Sequence, residues 1–552
     1  MLLDSHASSL PGLTTAHTLQ PGDVIRSGSV APFRAVAVAS GEPHLRRLDL
    51  VPGAAPAARR VSLLRFAYCT DVHLTDHQSP ARLEFLERFF GTEPYHHLGP
   101  VFRPHEVLQP QLAEVMLRTL SVLGPSEITG ASMQWVFCAG DWTDNAQVNE
   151  LAWAMRLMQG GTLTPNSGGP AYEGIASTAW GDPAYWRPDG MDDDYKIRYG
   201  YPTMPGLLER AIAPFEAAGV TLPWLSCLGN HDAMLLGTSL ITPALERILV
   251  GSAKARALPA ALIDNPDLDL PQLLELFVRE PEAFLAGPAT TVTPDPARRP
   301  SSLRTFIEAH RARGGQPAGH GFGPDGADAI QTHYVVDHPG VRQVTLDTVN
   351  PGGNWQGSIG ARQLAWLEER LIEVHSRYHD EGGTLVRTGH ADRLVLISSH
   401  HPLSTLINDM ITPGIDCDTP RALAQPVADL LHRFPNVILW VNGHTHVHAV
   451  TAHLDPAGRT AGFWEITTGS LIEWPCQARE IEIVDNGNGT LSIVATVIDH
   501  ASHPDPAMGD GIWSLAALHR QLAMNDPHHG HHTGKSGRAE DRNVELVIPA
   551  PF

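Results

Sequence analysis

The chain has 552 residues, several times an ordinary domain, so it can bury a large core as three or four units or as one elaborated unit. Its 39 Lys plus Arg stand against 60 Asp plus Glu, and the resulting net charge of −21 argues against a generic nucleic-acid or anionic-membrane surface. Hydrophobic residues make up 42%, and no apolar run approaches the roughly 20 residues that span a bilayer, which excludes a disordered chain and a helical membrane span.

The five cysteines, Cys69, Cys138, Cys227, Cys417 and Cys476, are scattered and do not form a disulfide framework. The first three sit inside short apolar runs, where a thiol acts as a small buried hydrophobe. The opening MLLDSHASSLPGL has no basic segment followed by an apolar one. A cytoplasmic location is therefore expected, with export the alternative if the sequence begins after a leader. Histidine is unusually frequent, at 30.

In chain order, residues 1–60 read as an N-terminal extension with a short strand over 36–39, closed by the connector VPGAAPAARR. From Leu63 onward a unit recurs in which a strand-like apolar run ends abruptly in polar, ligand-type residues. The runs are LLRFAYCT, WVFCAG, LPWLSCLG, RLVLISS and VILWVNG. Helical spacing of apolar residues over 107–123, 148–158, 207–218, 361–378 and 421–434 separates them, which indicates an α/β fold. Long insertions are expected at about 160–215 and 233–330, with helical pieces over 271–278 and 303–312 and a loop over 314–326. Near the end, GFWEITTGS, REIEIV and TLSIVATVID are strand-like, and DNGNG is a hairpin turn. Residues 501–552 read as a C-terminal tail, flexible over PHHGHHTGKSGR at 527–538.

The chemistry is concentrated at the five strand ends: Asp71-Val-His73, Gly140-Asp141, Gly229-Asn230-His231-Asp232, His400-His401-Pro402 and Gly443-His444-Thr445-His446. Residues at i and i+2 of an extended segment share a side, so Asp71 with His73, and His444 with His446, can each aim two donors at one point. Carboxyl ends of parallel strands line a common crevice, so distant strand ends can converge. Glycines at 140, 229 and 443 permit sharp turns there. The inventory is Asp71, His73, Asp141, Asn230, His400, His444 and His446. Seven donors exceed one tetrahedral zinc and suit two cations about 3.5–4 Å apart with a bridging carboxylate. Imidazole, carboxylate and amide without thiolate favour Fe, Mn, Zn or Co.

The order DxH, GD, GNHD, HHP, GHTH resembles the calcineurin-like metallophosphoesterases, which include purple acid phosphatases and class III cyclic-nucleotide phosphodiesterases. The helix GSIGARQLAWLEERL, with Gln363, Leu364, Trp366 and Leu367, is similar to the family's helix after its central strands. The long gaps look like the insertion-rich bacterial subgroup that often carries a twin-arginine leader. The resemblance implies a four-layer α/β/β/α sandwich over residues 61–500, with the two insertions as a cap. It assigns a first metal to Asp71, His73, Asp141 and His446, and a second to Asp141, Asn230, His400 and His444, each metal divalent or the pair of mixed valence. It chooses His400 over His401, because the family ligand lies two residues before the proline. Purple members carry a tyrosine three positions after the bridging aspartate, whereas this chain has Asp144, so no tyrosinate-to-iron colour is expected.

Two divalent cations would lower the pKa of a bridging water and neutralise phosphoryl oxygens during in-line attack. His231 stands where the family places the histidine that protonates the leaving group or binds phosphate. Asp232 can hold its imidazole in the right tautomer or serve as a structural loop carboxylate. Asp76, His77 and Arg82 can line a phosphate pocket or a solvated loop, Asp144 and Asn145 can act as acceptors behind the ligands, and Asn145 is also a candidate substrate contact. His448 reads as a neighbour or surface residue, and Trp474 as core or pocket wall. GFGPDG at 321–326 fits a dinucleotide fingerprint by letter, but no strand precedes it. Residues 530–536 resemble a shortened P-loop and read as linker, and Asp192 to Asp194 as an acidic turn.

The expected function is thus hydrolysis of a phosphate monoester or diester at a binuclear metal centre, with a small-molecule ester as substrate and no stable nucleic-acid binding. A cyclic-nucleotide or phospholipid-type phosphodiesterase is the sister alternative, and a non-catalytic, protein-binding relative is the rival. The sequence does not fix the oligomeric state.

Overall fold

The structure, a computed structural model, describes residues 12–89, 101–190, 192–263, 265, 268–312, 315–323 and 330–552. Residues 1–11, at the position of a leader, and parts of the loop 314–326, including Gly326 of the fingerprint-like run, lie outside these. The chain is mixed α/β. Numbering the longer strands and the strands of the two large sheets, these are β1 His17–Arg26, β2 Phe33–Ser40, β3 Leu45–Arg47, β4 Val61–Cys69, β5 Trp135–Cys138, β6 Trp224–Ser226, β7 Tyr334–His338, β8 Val341–Thr345, β9 Leu394–Ser398, β10 Val437–Asn442, β11 Ala449–His453, β12 Phe463–Thr467, β13 Gln477–Asp485, β14 Thr490–Asp499 and β15 Val544–Pro549. All the strand-like runs form strands.

Two mixed sheets result. A seven-stranded sheet runs in the order β3-β15-β14-β13-β4-β5-β6, and a six-stranded sheet in the order β7-β8-β9-β10-β12-β11. The motif-bearing strands form the parallel parts: β4 with β5 and β6, and β8 through β10 to β12. Alternate residues of β9 enter different cores. Leu394 and Leu396 join Phe66, Tyr68, Ile481 and Ile483 of the other sheet, while Val395 and Ile397 join Leu367, Leu371, Leu430 and Leu431 of two helices. Side chains tie the sheets together: Tyr68 Oη donates to the Ile466 carbonyl at 3.1 Å, Trp464 Nε1 to that of Val547 at 3.2 Å, Tyr334 Oη to that of Ser226 at 2.6 Å and Arg47 Nη1 to that of Val450 at 2.8 Å. Cys69, Cys138 and Cys227 are fully buried in the same core, as their apolar surroundings predict.

The helices include α1 Gln109–Ser121, α2 Val148–Gln159, α3 Leu303–Arg311, α4 Ala361–Ile372, α5 Ala424–Leu431 and α6 Gly511–Met524, beside Leu270–Arg279 and several shorter ones. The helix expected over 207–218 covers only Leu207–Ala211 and gives way to a strand at Phe215–Ala217. Pro214 accounts for this, since it lacks an N–H and biases the preceding residue away from helix. The helix expected over 361–378 likewise stops at Ile372.

The stretch 527–538, expected as a flexible linker, is instead tied down. The His448 N–H donates to the Lys535 carbonyl at 3.1 Å, the Asp526 carboxylate accepts the N–H groups of His528 and His529 at 2.8 and 3.3 Å, and Lys535 pairs with buried Glu473. Buried acceptors waiting in the core outweigh a composition that favours disorder. Beyond it β15 inserts between β3 and β14, so both ends of the described chain share one sheet. All described helices are too short or too polar to cross a membrane.

Burial holds the pKa of several histidines below the ordinary value, among them His77, His105 and His310. His310 on α3 packs among Phe306, Phe322 and Trp224, with Nδ1 donating to the Phe306 carbonyl at 2.8 Å, and burial pushes its pKa down to about 3. The unfolded chain takes up this proton near the ordinary value of 6.5, so stability is present above 6.5 and is lost as pH falls toward 3. Each such histidine steepens the loss by about 1.4 kcal/mol per pH unit across that window. His310→Phe is expected to flatten urea-unfolding stability between pH 6.5 and 4.5; an unchanged slope would contradict a neutral His310.

Candidate metal centre

The ends of β4, β5, β6, β9 and β10 converge, and they come from both sheets. Five of the seven expected ligands hold left-handed backbone: φ is 53° at Asp71, 49° at His73, 55° at Asp141, 69° at His444 and 59° at His446. Such conformations cost non-glycine residues of order 1–3 kcal/mol each and persist where the surroundings enforce them. Two glycines serve close approach. A Cβ on Gly229 would lie 2.0 Å from Asp141 Oδ1, and one on Gly443 would lie 1.9 Å from Thr70 Oγ1.

Tautomers follow from the partners of Nδ1. His73 donates Nδ1–H to Asp144 at 3.1 Å, and His446 donates Nδ1–H to Glu473 at 2.8 Å. In the neutral rings both Nε2 atoms then carry lone pairs, and these face each other across 3.2 Å. Asp71 Oδ1, buried and without a hydrogen bond, lies 3.3 Å from His446 Nε2 and 3.8 Å from His73 Nε2. A second group repeats the pattern. His400 donates Nδ1–H to the Ala139 carbonyl at 2.8 Å, which leaves Nε2 facing Asn230 Oδ1 at 2.9 Å, His444 Nδ1 at 3.2 Å and Asp141 Oδ2 at 3.2 Å. The Asn230 amide is oriented by its Nδ2, which donates to the Gly237 carbonyl at 3.0 Å. Asp141 Oδ2 is also 3.7 Å from His73 Nε2, so one carboxylate borders both groups.

Lone pairs held this close inside a protein repel unless positive charge lies between them. The local electrostatics make the same demand. Burial opposes charge on His400, but the Asp141 and Asp71 carboxylates outweigh it and lift its pKa to about 9. Asp141 is held down at about 2, against burial, by His400 and His231. The donor set therefore fits cations: Asp71, His73 and His446 form one set of converging ligand atoms, and Asp71, Asp141 and His400 another.

The neighbouring candidates separate clearly. His401 spends both ring nitrogens, on Thr348 Oγ1 at 2.8 Å and the Trp355 carbonyl at 3.0 Å, and burial with the adjacent His400 lowers its pKa to about 3. His231 places Nδ1 2.9 Å from the Asp144 carbonyl and 3.4 Å from Asp144 Oδ1, its ring edge-on to His73 and its side chain 20% exposed.

Asp232 does not reach the imidazole. Its Oδ2 accepts the N–H groups of Asp141 and Gly229 at 2.9 and 3.0 Å, and its Oδ1 accepts that of Thr143 at 3.0 Å; burial and the Asp141 charge raise its pKa to about 6. It organises the loop, and Asp144 takes the place beside His231.

The substrate-contact candidates Asp76, His77, Arg82 and Asn145 are buried rather than gathered at the opening. Asp76 binds Ser167, Asn149 and Arg298, and Arg82 pairs with Glu106 at 2.9 Å, approaching Asp144 at 3.9 Å. Asn145 is held by Glu150, and burial, helped by the Arg82 charge, drives the His77 pKa down to about 3. Desolvated, with Asp76, Arg82 and Asn145 already partnered and the His77 ring nitrogens without hydrogen bonds, these four form a wall behind Asp144. His448 is buried against Arg479 and Gln477, Trp474 lies in the core, and Asp193 caps a short helix.

Sequence reasoning missed Glu473. This buried carboxylate accepts from His446 Nδ1, from Arg103 Nη2 at 2.8 Å and from Lys535, and lies 2.8 Å from His529 Nδ1. No spacing rule links these residues. Carboxylates behind ligating histidines typically tune affinity 10–100-fold, so Glu473→Gln is expected to weaken metal binding by about that factor in competition with a chromophoric chelator. Unaltered affinity would refute the role.

No protein-family profile matches the chain, and no curated protein matches it by sequence. Among solved structures, a dimetal phosphatase from Danio rerio is similar at 12% identity and a TM-score of 0.34, over 80% of this chain and all of that one. A purple acid phosphatase from yellow lupin (Lupinus luteus) seeds is similar at 11% identity and a TM-score of 0.28, over 84% of this chain and 53% of that one. PhoD is similar at 9% identity and a TM-score of 0.28, over 84% of this chain and 68% of that one. Likenesses this distant carry no argument, and the reading below rests on the residues.

Proposed function

We propose that the chain is a metal-dependent phosphoric ester hydrolase of the calcineurin-like metallophosphoesterase type, acting on phosphate monoesters or diesters. The observation that carries this is the pair of lone-pair clusters, His73 with His446 and His400 with Asn230, bordered by the single carboxylate of Asp141. Asp71, His73, Asp141 and His446 would hold one cation, and Asp141, Asn230, His400 and His444 the other, with Fe, Mn, Zn and Co all suited to such donors. When bound, such a pair supplies Lewis-acid charge for phosphoryl oxygens and for activating water.

The rest of the work falls to the chain. Asp144 orients His73 and His231 together, and His231, the most accessible histidine beside Asp144, is placed to give a proton to the departing alcohol. We assign the catalytic unit to residues 61–500, as a four-layer α/β/β/α sandwich with the segments 160–215 and 233–330 built over it. Supporting this, Ser167 and Arg298 bind Asp76, and Lys254 bonds the carbonyls of His77 and Ser79, so both segments grip the loop after His73.

Chelator treatment is expected to abolish turnover of 4-nitrophenyl phosphate or bis(4-nitrophenyl) phosphate, and about two equivalents of one suitable metal should restore it. The preferred ester decides between phosphatase and phosphodiesterase. Metal-independent hydrolysis would refute the proposal, and full metal binding without turnover would favour the non-catalytic relative.

A further inference from the structure

Three loops meet at the mouth of the candidate centre. They are 234–241, which follows the short helix bearing Asn230 and His231, and the loops 349–357 and 405–415. Backbone and amide bonds interlock them: Asn354 N–H donates to the Thr238 carbonyl at 2.9 Å, Asn408 Nδ2 to those of Gly353 and Gln356 at 2.8 and 2.9 Å, and Asn350 Nδ2 to those of Asn408 and Met410 at 3.1 and 3.0 Å. A rim held this way is preformed. What it presents outward is apolar. Trp355 is 44% exposed, Ile407 56%, Met410 43% and Ile411 60%, and Leu240 and Met410 both come within 4 Å of a Cβ built on Gly353.

This rim is continuous with the centre. The Trp355 indole lies nearly parallel to the His444 imidazole, 5.6 Å away at 23°, and its carbonyl is the partner of His401 Nε2, next to His400. An ester whose phosphoryl group sits at the histidine–carboxylate cluster can lay its remaining atoms on that indole, which borders His444. The loop 405–415 contains Asp409 and no Lys, Arg or His, while Asp416 and Asp418 just beyond it are paired with Arg362. The Asp409 carboxylate among the exposed apolar residues disfavours a second phosphate and does not oppose an uncharged chain or ring.

We propose that Trp355, Ile407, Met410 and Ile411, with Leu240, form a subsite for the uncharged apolar moiety of the substrate. The ester hydrolysed is then one that carries an uncharged alkyl or aryl group, such as an alkyl or aryl phosphate, rather than a bare sugar phosphate. This rests on the phosphoesterase reading above and names the substrate class for that same site. Water adds across the P–O bond, the proton going to the departing alcohol and the hydroxyl to phosphorus, so the products are phosphate and an apolar alcohol or phenol.

The test is calorimetric titration of the metal-loaded protein with ethylphosphonate and octylphosphonate, beside kcat/KM for ethyl and octyl phosphate. Octyl is expected to exceed ethyl roughly tenfold or more in both, since each added methylene gains from a wall that covers it in part. Trp355→Ala and, separately, the solvent-facing Ile411→Ser should each shrink the octyl-to-ethyl ratio at least threefold, with metal content and thermal unfolding checking the fold. Equal binding of the two phosphonates, or a ratio that survives both variants, overturns the subsite alone. So does co-sedimentation with phosphatidylcholine vesicles without discrimination between the phosphonates, which would make the patch a bilayer contact. Failure of the metal-loaded protein to bind either phosphonate or turn over either ester overturns the parent reading, and the subsite with it.

Discussion

Asp141→Asn is expected to lower kcat/KM for 4-nitrophenyl phosphate by about 10³-fold or more. The carboxylate borders both donor groups through Oδ2, and its Oδ1 accepts the His231 N–H at 2.9 Å. An amide of the same shape removes the charge that both cations would share, and several kcal/mol of transition-state stabilisation goes with it. Elemental analysis should show metal lost from both positions. Loss from one position alone would mean that Asp141 serves only His400 and Asn230, 3.2 Å from its Oδ2 in the first case.

His231→Ala is the second large effect, and its signature differs. Metal content should stay at the native level while kcat falls by about 10²–10⁴-fold, the usual range for removing a general acid. The loss should depend on the leaving group. Ethyl phosphate, whose alkoxide needs a proton to depart, should suffer more than 4-nitrophenyl phosphate, whose phenolate departs unaided. An equal loss on both esters would recast His231 as a phosphate-binding residue. Asp144→Asn should resemble His231→Ala in part, because the side chain approaches the His231 and His73 rings from one place.

The candidate ligands were legible in the sequence because apolar runs that end in Asp-Val-His or His-Thr-His mark strand ends where donors cluster. The extended i, i+2 geometry did not carry over: Asp71, His73, His444 and His446 all hold left-handed backbone, and His444 faces His400 while His446 faces His73. Asp232 misled because sequence adjacency is not spatial adjacency. Residues 231 and 232 open a helical turn on which successive side chains diverge, so the imidazole found Asp144 and the carboxylate found backbone N–H groups. Glu473, Arg103 and Lys535 were invisible for a related reason. Each lies on a different element, and only the packing of α6 and the segment after it against the seven-stranded sheet brings them to His446. Trp355 carried no signal either, since an aromatic in a Gly-rich loop has the same letters whether it faces solvent or a ligand.

The left-handed backbone at Asp71, His73, Asp141, His444 and His446 sets activity against durability. Glycine at any of these positions would relax the chain while deleting a candidate ligand. A library of this protein screened only for survival at high temperature should therefore accumulate inert winners, and heat resistance would have to be sought in the framework while these five codons are held fixed.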